Sequence, residues 1–178
     1  MLREGSAARN LTDLLPLVTL KNSRQFLFVS DDRHPADILR EGHIDFMLRK
    51  AINEGLDPIV ALQISSLNAA RYFGLADLGA IAPGYRADIA VLDGLDEPRV
   101  THVFKDGRLV ARDGDFLAPM NRPVKAMHKS IHLAALSRRS FEIVAEKGPA
   151  RTIGIVPGQI ITRSLPLFPL IREGMVGS

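Results

Sequence analysis

The stretch Phe26-Leu27-Phe28-Val29-Ser30-Asp31-Asp32-Arg33-His34-Pro35 decides the fold. A short apolar run ends abruptly in two carboxylates, a guanidinium, an imidazole and a proline. Residues Gln25 to Ser30 therefore read as a buried strand that delivers chemistry at its C-terminal tip. In a β/α barrel the active site lies at that end of the strands. A carboxylate placed there can bind a metal and can also carry a proton during hydrolysis.

Working outward, Leu11 to Leu20 is apolar with Pro16 inside it, which predicts a short or kinked helix. Glu41 to Leu56 reads as one helix, with Ile44, Met47, Leu48, Ala51 and Ile52 on a single face and Gly55 as its stop. Asp57-Pro58 starts the next helix: Asp57 suits the cap and Pro58 the first turn, where no amide donor is needed. Val60, Ile64 and Leu67 line its inner face, and Asn68 reads as the cap of a further short helix ending at Gly74.

Beyond Gly74 the period changes from about 3.6 to 2. Pro83-Gly84 predicts a type II turn. Ala87, Ile89 and Val91 alternate with Asp88, Ala90 and Leu92, and Val100 to Phe104 is a second strand. Asp106-Gly107 then predicts a tight hairpin into Leu109-Val110. Asp88 reads as a residue holding the turn after Pro83-Gly84. Ala118 to Pro123 reads as a linker. Phe141 to Ala145 and Thr152 to Val156 read as strands, and Pro157-Gly158 as a turn into a strand over Gln159 to Thr162.

Composition narrows the class. Apolar residues at 46% are enough for a sizeable core, and the 23 basic and 20 acidic residues are spread without a basic block, which argues against a nucleic-acid partner. The absence of cysteine excludes a disulfide framework and thiolate metal sites. Met1-Leu2-Arg3-Glu4-Gly5-Ser6 does not read as a signal peptide, and no apolar run approaches the ~20 residues of a membrane span. A cytoplasmic protein without a membrane partner is the expectation.

The segment Leu67-Asn68-Ala69-Ala70-Arg71-Tyr72-Phe73-Gly74-Leu75, followed by Leu78-Gly79-Ala80-Ile81-Ala82-Pro83-Gly84-Tyr85-Arg86-Ala87-Asp88-Ile89-Ala90-Val91-Leu92-Asp93, resembles the amidohydrolase superfamily. Three further pieces resemble the adenine deaminase family within it. They are Leu2 to Leu11 (the strand 7 region), Ser30 to Pro35 with Glu41-Gly42-His43-Ile44-Asp45 (strand 8 and the helix after it), and Ile153 to Thr162 (the start of a C-terminal domain).

This resemblance implies an α/β fold: the C-terminal part of a TIM-like β/α barrel over residues 1–77, the return strands of a small β-sandwich over 78–118, and the start of a further α+β domain over 119–178. It implies a segment of a longer, metal-dependent hydrolase of purine salvage that converts adenine and water to hypoxanthine and ammonia. The cofactor would be a divalent cation, Mn2+ or Fe2+, in a site that holds one or two. The family's His-x-His pair is absent from the sequence, so the isolated chain is expected to be inactive. Barrel strands lacking their neighbours expose edges, so association is expected, and a homo-oligomer for the enzyme.

The strand 8 aspartate implied as metal ligand and proton shuttle is Asp31, the first carboxylate after the apolar run, with Asp32 as the alternative. Arg3, Glu4 and Ser6 would lie at the mouth of strand 7, where substrate is held, and His34 and His43 would help bind adenine or orient Asp31. His128 and His132 share a face only if helical and read as a solvated pair, and Gly154 with Gly158 makes no phosphate loop. Two other readings stand beside this one. The first is another amidohydrolase of the dihydroorotase, hydantoinase or imidazolonepropionase kind. The second is a non-catalytic structural or assembly module.

Overall fold

The computed structural model describes residues 1–119, 131–144, 148–172 and 175–176. Two compact units form, one of Met1–Pro119 with Pro157–Ile160, the other of Met120–Val156 with Ile161–Ser178.

The first unit begins with β1 (Leu2–Arg3), α1 (Leu11–Leu14), a 3-10 turn over Leu15–Leu17, a second over Ser23–Gln25, and β2 (Phe28–Val29). Pro16 sits in the first 3-10 turn, so the helix breaks where proline removes a donor. Strands β1 and β2 pair in parallel, with Leu2 opposite Phe28 and Arg3 opposite Val29. Leu2 N–H donates to Leu27 O at 2.8 Å and Glu4 N–H to Val29 O at 3.1 Å. A parallel pair needs a crossover connection, and α1 with its 3-10 extension supplies it.

Four helices follow: α2 (Pro35–Glu41), α3 (Ile44–Asn53), α4 (Pro58–Ser65) and α5 (Leu67–Tyr72). The helix expected over Glu41 to Leu56 forms as α3, shorter at both ends, with Met47, Leu48 and Ala51 of its expected face buried. Gly42, at φ +105°, ends α2 and turns the chain, and α3 starts afresh at Ile44. Asp57 caps α4 as expected, its carboxylate accepting the amides of Ile59 and Val60, both at 3.0 Å, with Pro58 in the first turn. Asn68 is not a cap. It lies inside α5, buried, and its side-chain amide donates to Ser23 O at 2.9 Å and Phe26 O at 2.8 Å. Helices α1, α3 and α4, with the Leu15 turn, pack on the strand pair through Leu2, Leu11, Leu15, Phe28, Met47, Ala51, Val60 and Ile64.

The same unit then forms an antiparallel sheet, ordered β3 (Ile89–Leu92), β4 (Val100–Lys105), β5 (Arg108–Arg112), β6 (Asp115–Phe116). Tyr85 N–H closes the Pro83-Gly84 turn on Ala82 O at 3.1 Å. Asp106 and Gly107 both have positive φ, the backbone of a type I′ hairpin turn. Asp113 and Gly114 repeat this between β5 and β6. Asp88 holds the first hairpin rather than the Pro83-Gly84 turn: it accepts Asp106 N–H at 2.9 Å and pairs with Lys105.

In the second unit β7 (Ala150–Ile155) pairs antiparallel with β8 (Thr162–Leu167), and β9 (Ile171–Arg172) with β10 (Met175–Val176). The strand expected from Phe141 is instead the end of a 3-10 turn over Arg138–Phe141, followed by a bridge at Val144. The strand expected over Gln159 to Thr162 begins only at Thr162. His128, Pro123 and Ala145 lie outside the described residues.

Candidate active site

The site is built where β1 and β2 end side by side. Side chains alternate across a strand, so Leu2 and Glu4 face the helices while Arg3 faces the other way. Both Leu2 and Glu4 are fully buried, and Arg3 is half-buried. Beyond β2 the chain turns sharply at Asp31, whose φ is +49°. That turn brings the Asp31 carboxylate onto the Arg3 guanidinium. The Asp31 side chain stays 45% exposed, open to a ligand on that face.

Asp32 points elsewhere. Its carboxylate accepts the amides of Ala7 at 3.0 Å and Ala8 at 3.3 Å, closing the turn that follows β1. The Ala7 hydrogen bond holds the Asp32 carboxyl below its ordinary value against the opposing effect of burial, with lesser lowering from Ala8 and the charge of Arg3. The two adjacent aspartates thus divide: one is exposed beside a cation, the other is engaged by backbone amides.

Glu4 reaches the helix layer. Lys50 Nζ of α3 donates to its Oε1 at 2.8 Å, and Arg9 lies 4.0 Å away. Its Oε2 is buried without a partner among the described residues. Ser6 bridges β1 to α2: its hydroxyl accepts the His34 amide at 2.8 Å and donates to Asp37. The Ser6 hydrogen bond, ahead of Arg40, lowers the Asp37 carboxyl. His34 caps α2, its Nδ1 accepting the Ala36 amide at 3.2 Å. The His43 ring lies with Nε2 2.8 Å from Ser30 Oγ, next to Asp31 in sequence.

Arg3, Ser6, Asp31, Asp32, His34 and His43 therefore gather around the two strand tips, while the Glu4 carboxylate is directed to Lys50. Sequence reading missed Lys50, whose partner Glu4 lies 46 residues away, and the buried Arg33, which joins Glu4, 29 residues away, to Glu41 and Gly42. Among the described residues no group of three or more His, Cys, Asp or Glu side chains is arranged to hold a metal ion. Asp31 fits one position of such a site, as an exposed oxygen donor.

In β/α-type folds active sites lie at the C-terminal tips of parallel strands, the place where these polar side chains gather. The profile of the Amidohydrolase family matches residues 3–110, more than half of the sequence, and the chain belongs to that family of TIM-barrel-type proteins. It is 39% identical, over its whole length, to an adenine deaminase of Kosmotoga olearia. Over 98% of its length it is 44% identical to an adenine deaminase of Desulfatibacillum aliphaticivorans and 46% identical to adenine deaminase 2 of Carboxydothermus hydrogenoformans. It spans 31% of the length of each of these relatives. A crystal structure of an amidohydrolase from Thermotoga maritima aligns with 48% of this chain and 23% of its own, at 30% identity and a TM-score of 0.39.

Proposed function

We propose that this chain supplies the closing barrel strands of an adenine deaminase, which hydrolyses adenine to hypoxanthine and ammonia. The observation that carries the reading is the identity, 39–46% over nearly the whole chain, to proteins named adenine deaminase. In this reading residues 1–77 close the barrel, 78–118 return into a small β-sandwich, and 119–178 begin a further α+β domain. The enzyme is a cytoplasmic homo-oligomer. No helix among the described residues is long and apolar enough to cross a membrane, which is compatible with that location.

Asp31 is the carboxylate of the reaction. A divalent cation, Mn2+ or Fe2+, bound through Asp31 and ligands from elsewhere in the enzyme, would lower the pKa of a water molecule to near neutrality. The Asp31 carboxylate would act as the base, accepting one proton of the water whose oxygen adds to C6 of adenine. Asp31 would then return that proton to the departing amine, so ammonia leaves, and the remaining hydroxyl proton passes to ring N1 as the carbonyl forms. Arg3 orients the Asp31 carboxylate through their ion pair, and His43, held by Ser30, borders the same face. Asp32 and Ser6 fix the loop that carries these groups. Glu4 stays with Lys50 and keeps its second oxygen for a hydrogen-bond donor.

The test is ammonia release from adenine by a protein of the relatives' length that contains this chain, with and without added Mn2+ or Fe2+. Metal-dependent release from adenine supports the reading. Turnover of cyclic amides with none of adenine would move the enzyme to another branch of the amidohydrolases.

A further inference from the structure

We infer that Arg33 is a positioning residue: it locks the tips of β1 and β2 to the α2–α3 corner, so that the Asp31-Asp32 pair is held in one geometry. The inference rests on the reading of Asp31 given above, but its structural half stands independently.

Arg33 is buried, its side chain 1% exposed, two residues past Asp31. Each of its nitrogens has a different acceptor. Nε donates to Gly42 O at 3.0 Å, Nη1 to Glu4 O at 3.4 Å, and Nη2 to Glu41 Oε2 at 2.5 Å. The guanidinium carbon lies 4.3 Å from the centre of the Phe46 ring, a cation–π placement. One planar group thus joins the β1 tip, the end of α2 and the first turn of α3.

The corner it grips is stiff. Gly42 has φ +105°, and a β-carbon there would meet the Asp45 carboxylate. Asp45 in turn accepts the His43 amide at 2.7 Å and pairs with Arg49. The His43 ring comes back to Ser30 Oγ at 2.8 Å. The tip of β2 is therefore tied to the corner from both sides of the aspartates, by Ser30 before them and Arg33 after them.

Burying the Arg33 guanidinium costs desolvation that its pairing with the partly exposed Glu41 carboxylate largely offsets rather than exceeds, so the pair is a poor source of net stability. What the planar guanidinium supplies is a fixed fork of donors, which an ammonium group cannot reproduce. Its hold on Glu4 O sits beside the Gly5-to-Ala8 turn, whose amides engage Asp32.

The experiment uses Arg33→Lys in a protein of the relatives' length, with amide hydrogen exchange and steady-state kinetics measured on parent and variant. Exchange at the Ala7, Ala8 and His34 amides is expected to rise at least about tenfold, while the amides of α4 keep their parent rates. With adenine, kcat is expected to fall roughly 10–100-fold, the usual range for a lost supporting contact, with KM within about threefold. If Arg33→Lys does not fold, Glu41→Gln removes one anchor and is expected to raise the same amide rates by a smaller factor. Unchanged exchange at Ala7 and Ala8 overturns the positioning role, whatever happens to kcat. Raised exchange with an unchanged kcat overturns the coupling to Asp31. Raised exchange in a protein whose parent leaves adenine untouched keeps the lock and overturns the adenine deaminase reading instead.

Discussion

The Asp32 carboxylate fills the space that a β-carbon on Gly5 would need. Glycine is required there by this close approach, not by an unusual φ. The contact lets Asp32 reach past the β1 tip to the amides of Ala7 and Ala8. It also frees Asp31, the neighbouring carboxylate, for the opposite face with Arg3.

Gly5→Ala forces that carboxylate aside. It is expected to cost about 1–3 kcal/mol, the usual range for overpacking. Asp32→Ala removes both the hydrogen bonds and the clash, so the double variant is expected to be less destabilised than the sum of the singles. Chemical denaturation of the four proteins checks this.

Acid should open the same turn. The folded Asp32 carboxyl lies below its ordinary value of 3.8, chiefly through the Ala7 amide. Its stabilising effect is therefore present above that ordinary value and is lost as pH falls through the lower, folded one. The Ala7 amide proton shift is expected to titrate with a midpoint below 3.8, and to show no such step in Asp32→Asn.

Asn68→Ala is expected to destabilise the first unit by about 1–3 kcal/mol, because the carbonyls of Ser23 and Phe26 lose their donors. Thermal unfolding measures this, and an unchanged Tm would mean that water replaces the amide.

The 178-residue chain by itself is expected to show no metal-dependent adenine turnover, since no group of three or more ligand side chains among its described residues is arranged to hold a metal. An ammonia assay with Mn2+ or Fe2+ on the purified chain tests it.

Features that depend on neighbouring residues were legible in the sequence. The Asp57-Pro58 helix start, the Pro83-Gly84 turn and the Asp106-Gly107 hairpin follow from local backbone chemistry. Asp113-Gly114 carries the same hairpin signal and was equally readable. The start of α3 was placed three residues early because Glu41 belongs to the end of α2, and a glycine alone does not say which helix it closes. Asn68 looks like a cap because asparagine usually is one; its true partners arrive from residues 23 and 26 through the fold. For the site, the charged tip of β2 was visible as a cluster. The division of labour between Asp31 and Asp32 was not, since it depends on which face Arg3 occupies and where the Gly5 turn passes.

The central claim is that Asp31 carries the proton while Asp32 holds the loop. It is tested most directly by comparing kcat for ammonia release from adenine in Asp31→Asn and Asp32→Asn, made in a protein of the relatives' length, with metal content determined alongside. Asp31→Asn is expected to lose at least ~10²–10⁴-fold, the range for general acid–base catalysis alone, with a further loss from weakened metal binding. Asp32→Asn is expected to lose much less and to retain its metal. A nearly normal Asp31→Asn enzyme beside an inactive Asp32→Asn enzyme would contradict the account and transfer the chemistry to Asp32.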